Sequence, residues 1–547
     1  MTLTARTLPR QVKRKKFILL FCITAIGAIL RALLVNAGVD VDDVTTVYIA
    51  EAPNIGELIE RVRLCEFAPP LYFMFMSVWI KLFGDSSVSL VIPSMVFGIA
   101  LIPCVFLLAK ELFERDDIAF TSAFFTAVSP LATLFTREVR SSSLIALIST
   151  IAFYFFIRCL KATRKQRLIG LGLLLILMLY TNYFALLLVA LMVLNTLVYT
   201  RFPFKSVVFK PLAILGTIGG ALICFLPWGP IFFEQQQSAA FWTYQESINN
   251  PLFLYTSNLA ATLPIPWNAS FVLLTFILPI AGLIILWKTV RLLSRRDLIN
   301  YIDHHKAHSF LLANLLIPIL GYTYITPIIG SQRYMMSFVV FGLIFWASLI
   351  VAAGENIVVR LAERSSTRRT VAVIVFALML ISVTFVEINS LSDGDRSGLR
   401  RFAIDWQAKK FKHTALLIAP DFDSYNLIYY LTREQKARMP EFYNTFPVPD
   451  TLTPTKPNGY LEVLNNDQSV EKALQWLEKL DVSKVQKLMV IVDQTEPFGK
   501  LPQAKARCAE LIDRIKARYA LMGEPESYNS RGRSFAVLSF KLAEPPD

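Results

Sequence analysis

Three aspartates, Asp40, Asp42 and Asp43, stand within four positions in NAGVDVDDVTTVYIAEAP (residues 36–53), where a long apolar run gives out. Polar groups recur at the ends of other apolar runs. They are Arg31 just ahead of the acids, Arg137, Glu138 and Arg140 in LFTREVRSSSL, Asn182 in YTNYF, and Gln332, Arg333 and Tyr334 in GSQRYMMSF. Charges bordering hydrocarbon are costly unless paired, hydrated or used. The types present are complementary: a carboxylate can take a proton from an attacking hydroxyl, and a guanidinium can hold a phosphate through two parallel N–H donors. Together they suit group transfer from a phosphate leaving group anchored in lipid to a hydroxyl that arrives from water.

Each residue also has a bland reading. Arg137 fits an interfacial arginine that snorkels, and Asp42 and Asp43 fit a solvated turn. Arg333 is harder to dismiss, because it is the only Lys or Arg between Lys306 and Arg360. The segment TTVYIAEA after the acids reads as a helix lying over the membrane surface, which favours a site there.

The elements that must carry these groups are membrane spans. The chain has 547 residues, of which 54% are hydrophobic and 12% aromatic, and its mean hydropathy is +0.50. That is more apolar side chain than one soluble core uses, and it marks a multi-pass membrane protein. Apolar runs of spanning length fall near 17–37, 87–109, 118–136, 142–160, 167–181, 183–200, 207–228, 269–289, 309–328, 333–354 and 371–390, about eleven in all. The net charge of +14 invites a nucleic-acid reading, yet from residue 391 onward there are 23 Lys and Arg against 21 Asp and Glu. The surplus lies in alternate loops of the membrane part: Arg6 to Lys16, Arg158 to Arg167, Arg201 to Lys210, Lys288 to Arg296 and Arg360 to Arg369. By the positive-inside rule the N-terminus is cytoplasmic, while the acids and the C-terminal region are outside. The first run, continuing to about Ala37 and carrying Arg31, reads as a retained span and not a cleaved signal. The six cysteines make no disulfide framework.

Residues 1–390 are therefore expected to form a membrane domain with two exterior loops, 38–84 and 229–268. In the first, Ile55, Leu58, Ile59 and Val62 recur at helical spacing behind a candidate N-cap, Asn54, and PPLYFMFMSVWIKLFG (69–84) reads as an aromatic-rich interfacial helix. The second contains EQQQSAAFWTYQES and could order over a site. Residues 391–547 turn soluble, with strands expected at 413–420, 487–493 and 534–542 and helices at 467–480 and 502–520, an exterior α/β domain.

In combination these pieces resemble the GT-C glycosyltransferases of the protein-mannosyltransferase and aminoarabinose-transferase type. The residues that carry the resemblance are the acid pair Asp42-Asp43; Pro69, Pro70, Leu71, Tyr72, Trp79 and Leu82 to Gly84; Thr136 to Arg140; Pro227, Trp228 and Pro230; and Arg333-Tyr334, spread over roughly 17–354. The resemblance implies a prokaryotic plasma membrane and an inverting transfer of a sugar from a polyprenyl-phosphate donor to a protein, lipid or polysaccharide acceptor. It makes Asp42 the base, with Asp43 supporting it or contacting the sugar. Arg140, Arg333, Tyr334 and Arg137 would hold the donor phosphate, with Glu138 orienting Arg140, and Tyr72, Asn182 and Trp228 would contact substrate. Asp43 stands where the family has Glu, Ala68 where relatives often have His or Lys, and Asn182 where they often have His. Dependence on a divalent metal is thus open, with Glu66 and Glu138 as candidate ligands. The cluster DHHKAH, with His304, His305 and His308, has metal-like spacing but falls in an expected cytoplasmic loop, where a solvated face is the simpler reading. A flippase or transporter of lipid-linked precursors is the alternative, but it would place ionisable groups at mid-membrane in repeated halves.

Overall fold

The structure is a computed structural model that describes residues 10–36, 38–201, 210–244, 306–324, 336–360, parts of 377–385, 398–409, 411–419, 424–436, 440–446, 469–494, 502–530 and 533–542. The expected span 269–289, most of 371–390, the later part of the 229–268 loop, His304, His305, Arg333 and Tyr334 lie outside the described residues.

Helices form where the apolar runs stand: α1 (Arg10–Ala32), α5 (Ser87–Phe113), α6 (Asp116–Val128), α7 (Pro130–Leu134), α8 (Ser142–Lys161), α9 (Lys165–Thr181), α10 (Ala185–Arg201) and α11 (Pro211–Phe225), followed by helices Lys306–Tyr324 and Met336–Arg360. Among the described residues three helical stretches are long and apolar enough to cross a membrane, Ser87–Phe113, Ser142–Lys161 and Pro211–Gln236, with one bent pair as a fourth. The last stretch continues into α12 (Gly229–Tyr244), so the described start of the expected 229–268 loop is helical. At one end of the bundle Lys16 pairs with Asp116, and Lys161 lies 2.8 Å from Glu114 in the turn between α5 and α6. The basic stretches of α1 and α8 thus share an end, and the three aspartates follow the other end of α1. His308, half-buried, sets its ring edge against Phe113 with centroids 5.1 Å apart.

The bent pair corrects the continuous span expected at 118–136. α6 stops at Val128, and α7 leaves at 54°. Ser129 caps the new start, its Oγ accepting from the Ala132 amide at 3.3 Å, and Pro130 occupies the first turn, where its missing N–H costs nothing. A helix broken at membrane depth must satisfy its freed carbonyls internally. Arg31, 1% exposed, does this: Nη1 donates to Gly27 O at 3.0 Å and Ala127 O at 3.2 Å, and Nη2 to Thr126 O at 3.2 Å. Thr384 covers the Val128 carbonyl at 2.6 Å. Arg31 therefore caps an internal helix end and is not one of the groups gathered at the chain's polar surface. Its guanidinium fits because Gly98 of α5 has no Cβ; an added one would lie 3.1 Å from Arg31 Nε and 2.3 Å from Thr136 Cγ2.

Beyond α1 the chain builds three short helices, α2 (Val41–Ala50), α3 (Ile55–Cys65) and α4 (Leu71–Phe83). The expected cap is present, with Asn54 Oδ1 accepting from the Glu57 amide at 2.9 Å. Arg61 ties α3 to α2 by donating to the Tyr48 carbonyl at 2.6 Å while Glu57 steadies it at 3.0 Å. α4 is fixed by Trp79, whose Nε1 donates to Ser89 O at 2.9 Å.

The C-terminal region is a sheet in the order β2-β1-β3-β6-β4, with β5 pairing β6. β1 (Thr414–Ala419), β2 (Tyr443–Thr445) and β3 (Lys487–Asp493) are parallel, and β6 (Arg533–Lys541) runs antiparallel to β3. β4 (Ala520–Leu521) and β5 (Glu526–Ser530) each run antiparallel to β6. Every residue of β1 is buried, as expected of a parallel strand covered on both faces. Ala415, Leu417 and Ala419 face helices Ser469–Glu478 and Pro502–Arg518. Leu416 and Ile418 join helix Leu399–Lys409 in an apolar cluster that also takes in Val39, Val44, Val47, Tyr72 and Val139. One face of the sheet thus shares an apolar cluster with the segment that carries the aspartates.

Candidate active site

The acid segment is a helix start. Asp40 precedes α2, its carbonyl accepting from the Val44 amide at 3.0 Å, and Asp43 at the third helical position reaches back to the Asp40 amide at 3.0 Å. Asp43 thereby makes the back-reaching half of a capping box, and both acids of the first turn are favoured by the helix dipole. Asp43 is fully buried, and its second oxygen accepts from the Val139 amide at 2.7 Å. A carboxylate placed for local helix capping therefore also fastens α2 to the segment that follows the α6–α7 break. That segment is a 3₁₀ turn, Phe135–Arg137, steadied by Thr136 Oγ1 on the Thr133 carbonyl at 2.6 Å.

The next residue after Val139 is Arg140. Its Nη1 reaches the backbone carbonyl of Asp42 at 3.3 Å and Thr46 Oγ1 at 3.4 Å, and the guanidinium grips Glu66 in a two-pronged ion pair, Nη1 on Oε1 and Nη2 on Oε2 at 3.2 Å. The sequence reading gave Glu138 the task of orienting Arg140; the carboxylate that grips it here is Glu66. Burial pushes the Glu66 carboxyl above its ordinary range, Arg140 opposes that shift, and the nearby Asp42 charge adds to it. Asp42 is half-buried. Its carboxylate, Glu66 and Arg140 thus share one small volume.

Tyr72 lies beneath. It is fully buried, its hydroxyl 3.4 Å from Ser94 Oγ, which donates to the Arg140 carbonyl at 3.4 Å. Burial raises the phenol, with Asp43 and Glu138 acting in the same direction and Arg140 against it. Glu138 is buried and Arg137 half-buried in the same turn. Asn182 makes a local turn, Oδ1 accepting from the Phe184 amide at 2.9 Å. Trp228, also buried, belongs to another network: its Nε1 donates to the Tyr183 hydroxyl at 2.8 Å, Tyr183 in turn bonds Gln235, and Gln235 Nε2 donates to the Val62 carbonyl at 2.9 Å. The structure brings Asp42, Asp43, Glu66, Tyr72 and Arg140 together, and sets Asn182 and Trp228 in this neighbouring frame around the end of α3.

Among the described residues no group of three or more His, Cys, Asp or Glu side chains is gathered to hold a metal ion. Both oxygens of Glu66 face Arg140, so a cation there would have to displace the guanidinium.

Sequence reasoning missed Thr46, Ser94, Tyr183 and Gln235. The pairing of Asp43 with the Asp40 amide had a local signal, an acid three positions after a capping residue. Thr46 bonds the Asp42 carbonyl within its own helix, but its tie to Arg140, like the partners of Ser94, Tyr183 and Gln235, is distant in the chain and left no local signal.

Residues 68–231 match the family described as dolichyl-phosphate-mannose-protein mannosyltransferase. Among solved structures, ArnT from Cupriavidus metallidurans bound to undecaprenyl phosphate is 12% identical with a TM-score of 0.51, over 95% of this chain and 97% of that one. Its apo form is 13% identical over the same shares, also with a TM-score of 0.51. The Archaeoglobus fulgidus oligosaccharyltransferase tethered to an acceptor peptide is 15% identical with a TM-score of 0.47, over 96% of this chain and 74% of that one. No curated protein sequence matches. The resemblance read from the sequence is borne out to this extent: residues 68–231 match the mannosyltransferase family, and the chain shares its fold with ArnT.

Proposed function

We propose that the protein transfers a sugar from a polyprenyl-phosphate donor to an acceptor hydroxyl at the non-cytoplasmic face of a plasma membrane. The observation that carries the reading is the hydrogen-bonded frame in which Asp43 joins the start of α2 to the Val139 amide, setting Arg140 against the Asp42 carbonyl. It holds a half-buried carboxylate and a guanidinium at fixed separation, the pair that the chemistry requires. The undecaprenyl phosphate bound to ArnT supports a donor of that class.

In this mechanism the acceptor oxygen attacks the anomeric carbon as its proton passes to Asp42. The bond from that carbon to the phosphate oxygen breaks, the polyprenyl phosphate leaves, and the configuration inverts. Arg140 and Arg333, the latter outside the described residues, neutralise the charge that develops on the leaving phosphate, an interaction that strengthens toward the transition state. Asp43 is a positioning residue, its carboxylate occupied by backbone amides, and Glu66 holds the plane of Arg140.

The test uses purified protein in detergent, radiolabelled polyprenyl-phosphate sugar and a panel of acceptors, with no sealed compartment that a transporter would need. Asp42→Asn keeps the backbone carbonyl used by Arg140 and Thr46. It should lower turnover by roughly 10²–10⁴-fold, the usual worth of a general base, at unchanged donor affinity. Full activity in that variant would remove Asp42 from its role.

A further inference from the structure

The C-terminal region covers the acid segment through one buried hydroxyl. Tyr430 and Val39 are both fully buried, although they stand 391 positions apart. The Tyr430 hydroxyl donates to the Val39 carbonyl at 2.6 Å and accepts from the Val39 amide at 2.9 Å. That carbonyl belongs to the peptide unit whose other edge, the Asp40 N–H, donates to Asp43 at 3.0 Å. One peptide plane is thus held between Tyr430 and the carboxylate that fastens α2 to Val139. Polar groups linked in series polarise one another and lose more than pairwise worth when the chain is cut.

Other ties surround this point. Tyr429 donates to the Asp85 carbonyl at 2.8 Å, and Arg433 pairs with Glu51 at 3.0 Å and Asp85 at 3.2 Å. Arg400 bonds Glu434 at 2.5 Å and the Asn36 carbonyl at 3.2 Å. These contacts fall on both sides of residues 38–50. Beneath them Val39, Val44 and Val47 lie in the same apolar cluster as Leu416, Ile418, Phe402 and Phe535.

We infer that the C-terminal α/β region is a clamp that sets the register of the acid-bearing helix, with Tyr430 as its positioning residue. The inference rests on the proposed function for its catalytic consequence, though the clamp itself is geometric. Tyr430→Phe removes the hydroxyl and keeps the ring in the cluster, leaving both polar groups of Val39 buried and unpaired. Tyr528→Phe is the control. It deletes another hydroxyl of the same region, one that serves Asp405 at 2.9 Å and Glu526 at 3.0 Å.

The experiment compares hydrogen–deuterium exchange of the full chain in detergent with turnover per folded molecule. Tyr430→Phe should speed exchange over residues 38–48 by roughly 5- to 150-fold, the range for a buried group left without its partner, and leave α5 unchanged. Turnover should fall by a similar factor at constant donor KM, whereas Tyr528→Phe should alter neither. If Tyr430→Phe does not accumulate, Arg433→Ala, which removes only half-exposed ties, should speed exchange over 38–51. Wild-type exchange there in whichever variant is obtained overturns the clamp. A wild-type protein that transfers no sugar, with exchange still responsive to Tyr430→Phe, overturns the proposed function and leaves the clamp standing.

Discussion

Asp43→Ala is the perturbation that most directly tests how the site is held together. The carboxylate accepts two backbone amides, from Asp40 at 3.0 Å and Val139 at 2.7 Å. Hydrogen bonds to a charged partner are worth about 1.5–3 kcal/mol each, so their joint loss reaches roughly 3–6 kcal/mol before relaxation. Val139 is fully buried, and its amide gains water only if α2 parts from the turn after Phe135. Against a typical stability of about 5–15 kcal/mol, that is enough to separate the two segments or unfold the protein. Detergent-solubilised variants heated in steps and assayed for residual monodisperse protein give the stability; transfer of labelled sugar at a temperature where all are folded gives the activity. Asp43→Ala should lose both. Asp43→Asn should resemble it, since the amide offers one acceptor and turns its NH₂ toward the other donor. Asp42→Asn should stay within about 1 kcal/mol of wild type in stability while losing turnover. If Asp43→Ala melts and turns over like the wild type, or if Asp42 and Asp43 variants fail in the same way, the division of labour between base and brace is refuted.

Gly98→Ala places a Cβ 2.3 Å from Thr136 Cγ2, so Thr136 and the turn carrying Arg140 must shift. The cost should be about 1–3 kcal/mol of overpacking, read as a lower melting temperature together with reduced turnover, and a silent substitution would show that the turn is not tightly held. Glu51 is raised by burial, against the pull of Arg433 and with Asp85 adding to the rise. Only between the unfolded value and the raised native one does the folded form hold a proton that the unfolded chain has released. Stability from this group is greatest below its unfolded value of 4.5 and falls as pH rises through the native value. Glu51→Gln should flatten that decline in thermal-unfolding midpoints above pH 4.5 by well under 1 kcal/mol, given the exposure of Arg433; an unchanged slope would remove Glu51 as its source.

Short-range physics made much of this protein legible in its sequence. Long apolar runs gave helices at 87–113 and 142–161, and short apolar runs separated by helical patterns gave the strands at 414–419, 487–493 and 533–541. Asn54 capped α3 as its spacing required, and the residue types at the polar ends pointed to carboxylate and guanidinium chemistry. Hydropathy could not see that a span would break at Pro130, because Arg31 carries the compensation from another helix. Nor could it pair Arg140 with Glu66, Asp43 with Val139, or Tyr430 with Val39, at separations of 74, 96 and 391 residues. Propensity and hydropathy are properties of neighbours along the chain, and they fix which elements form. Which carboxylate meets which amide is decided by the packing that removes both from water, where a polar group without a partner is too costly to keep.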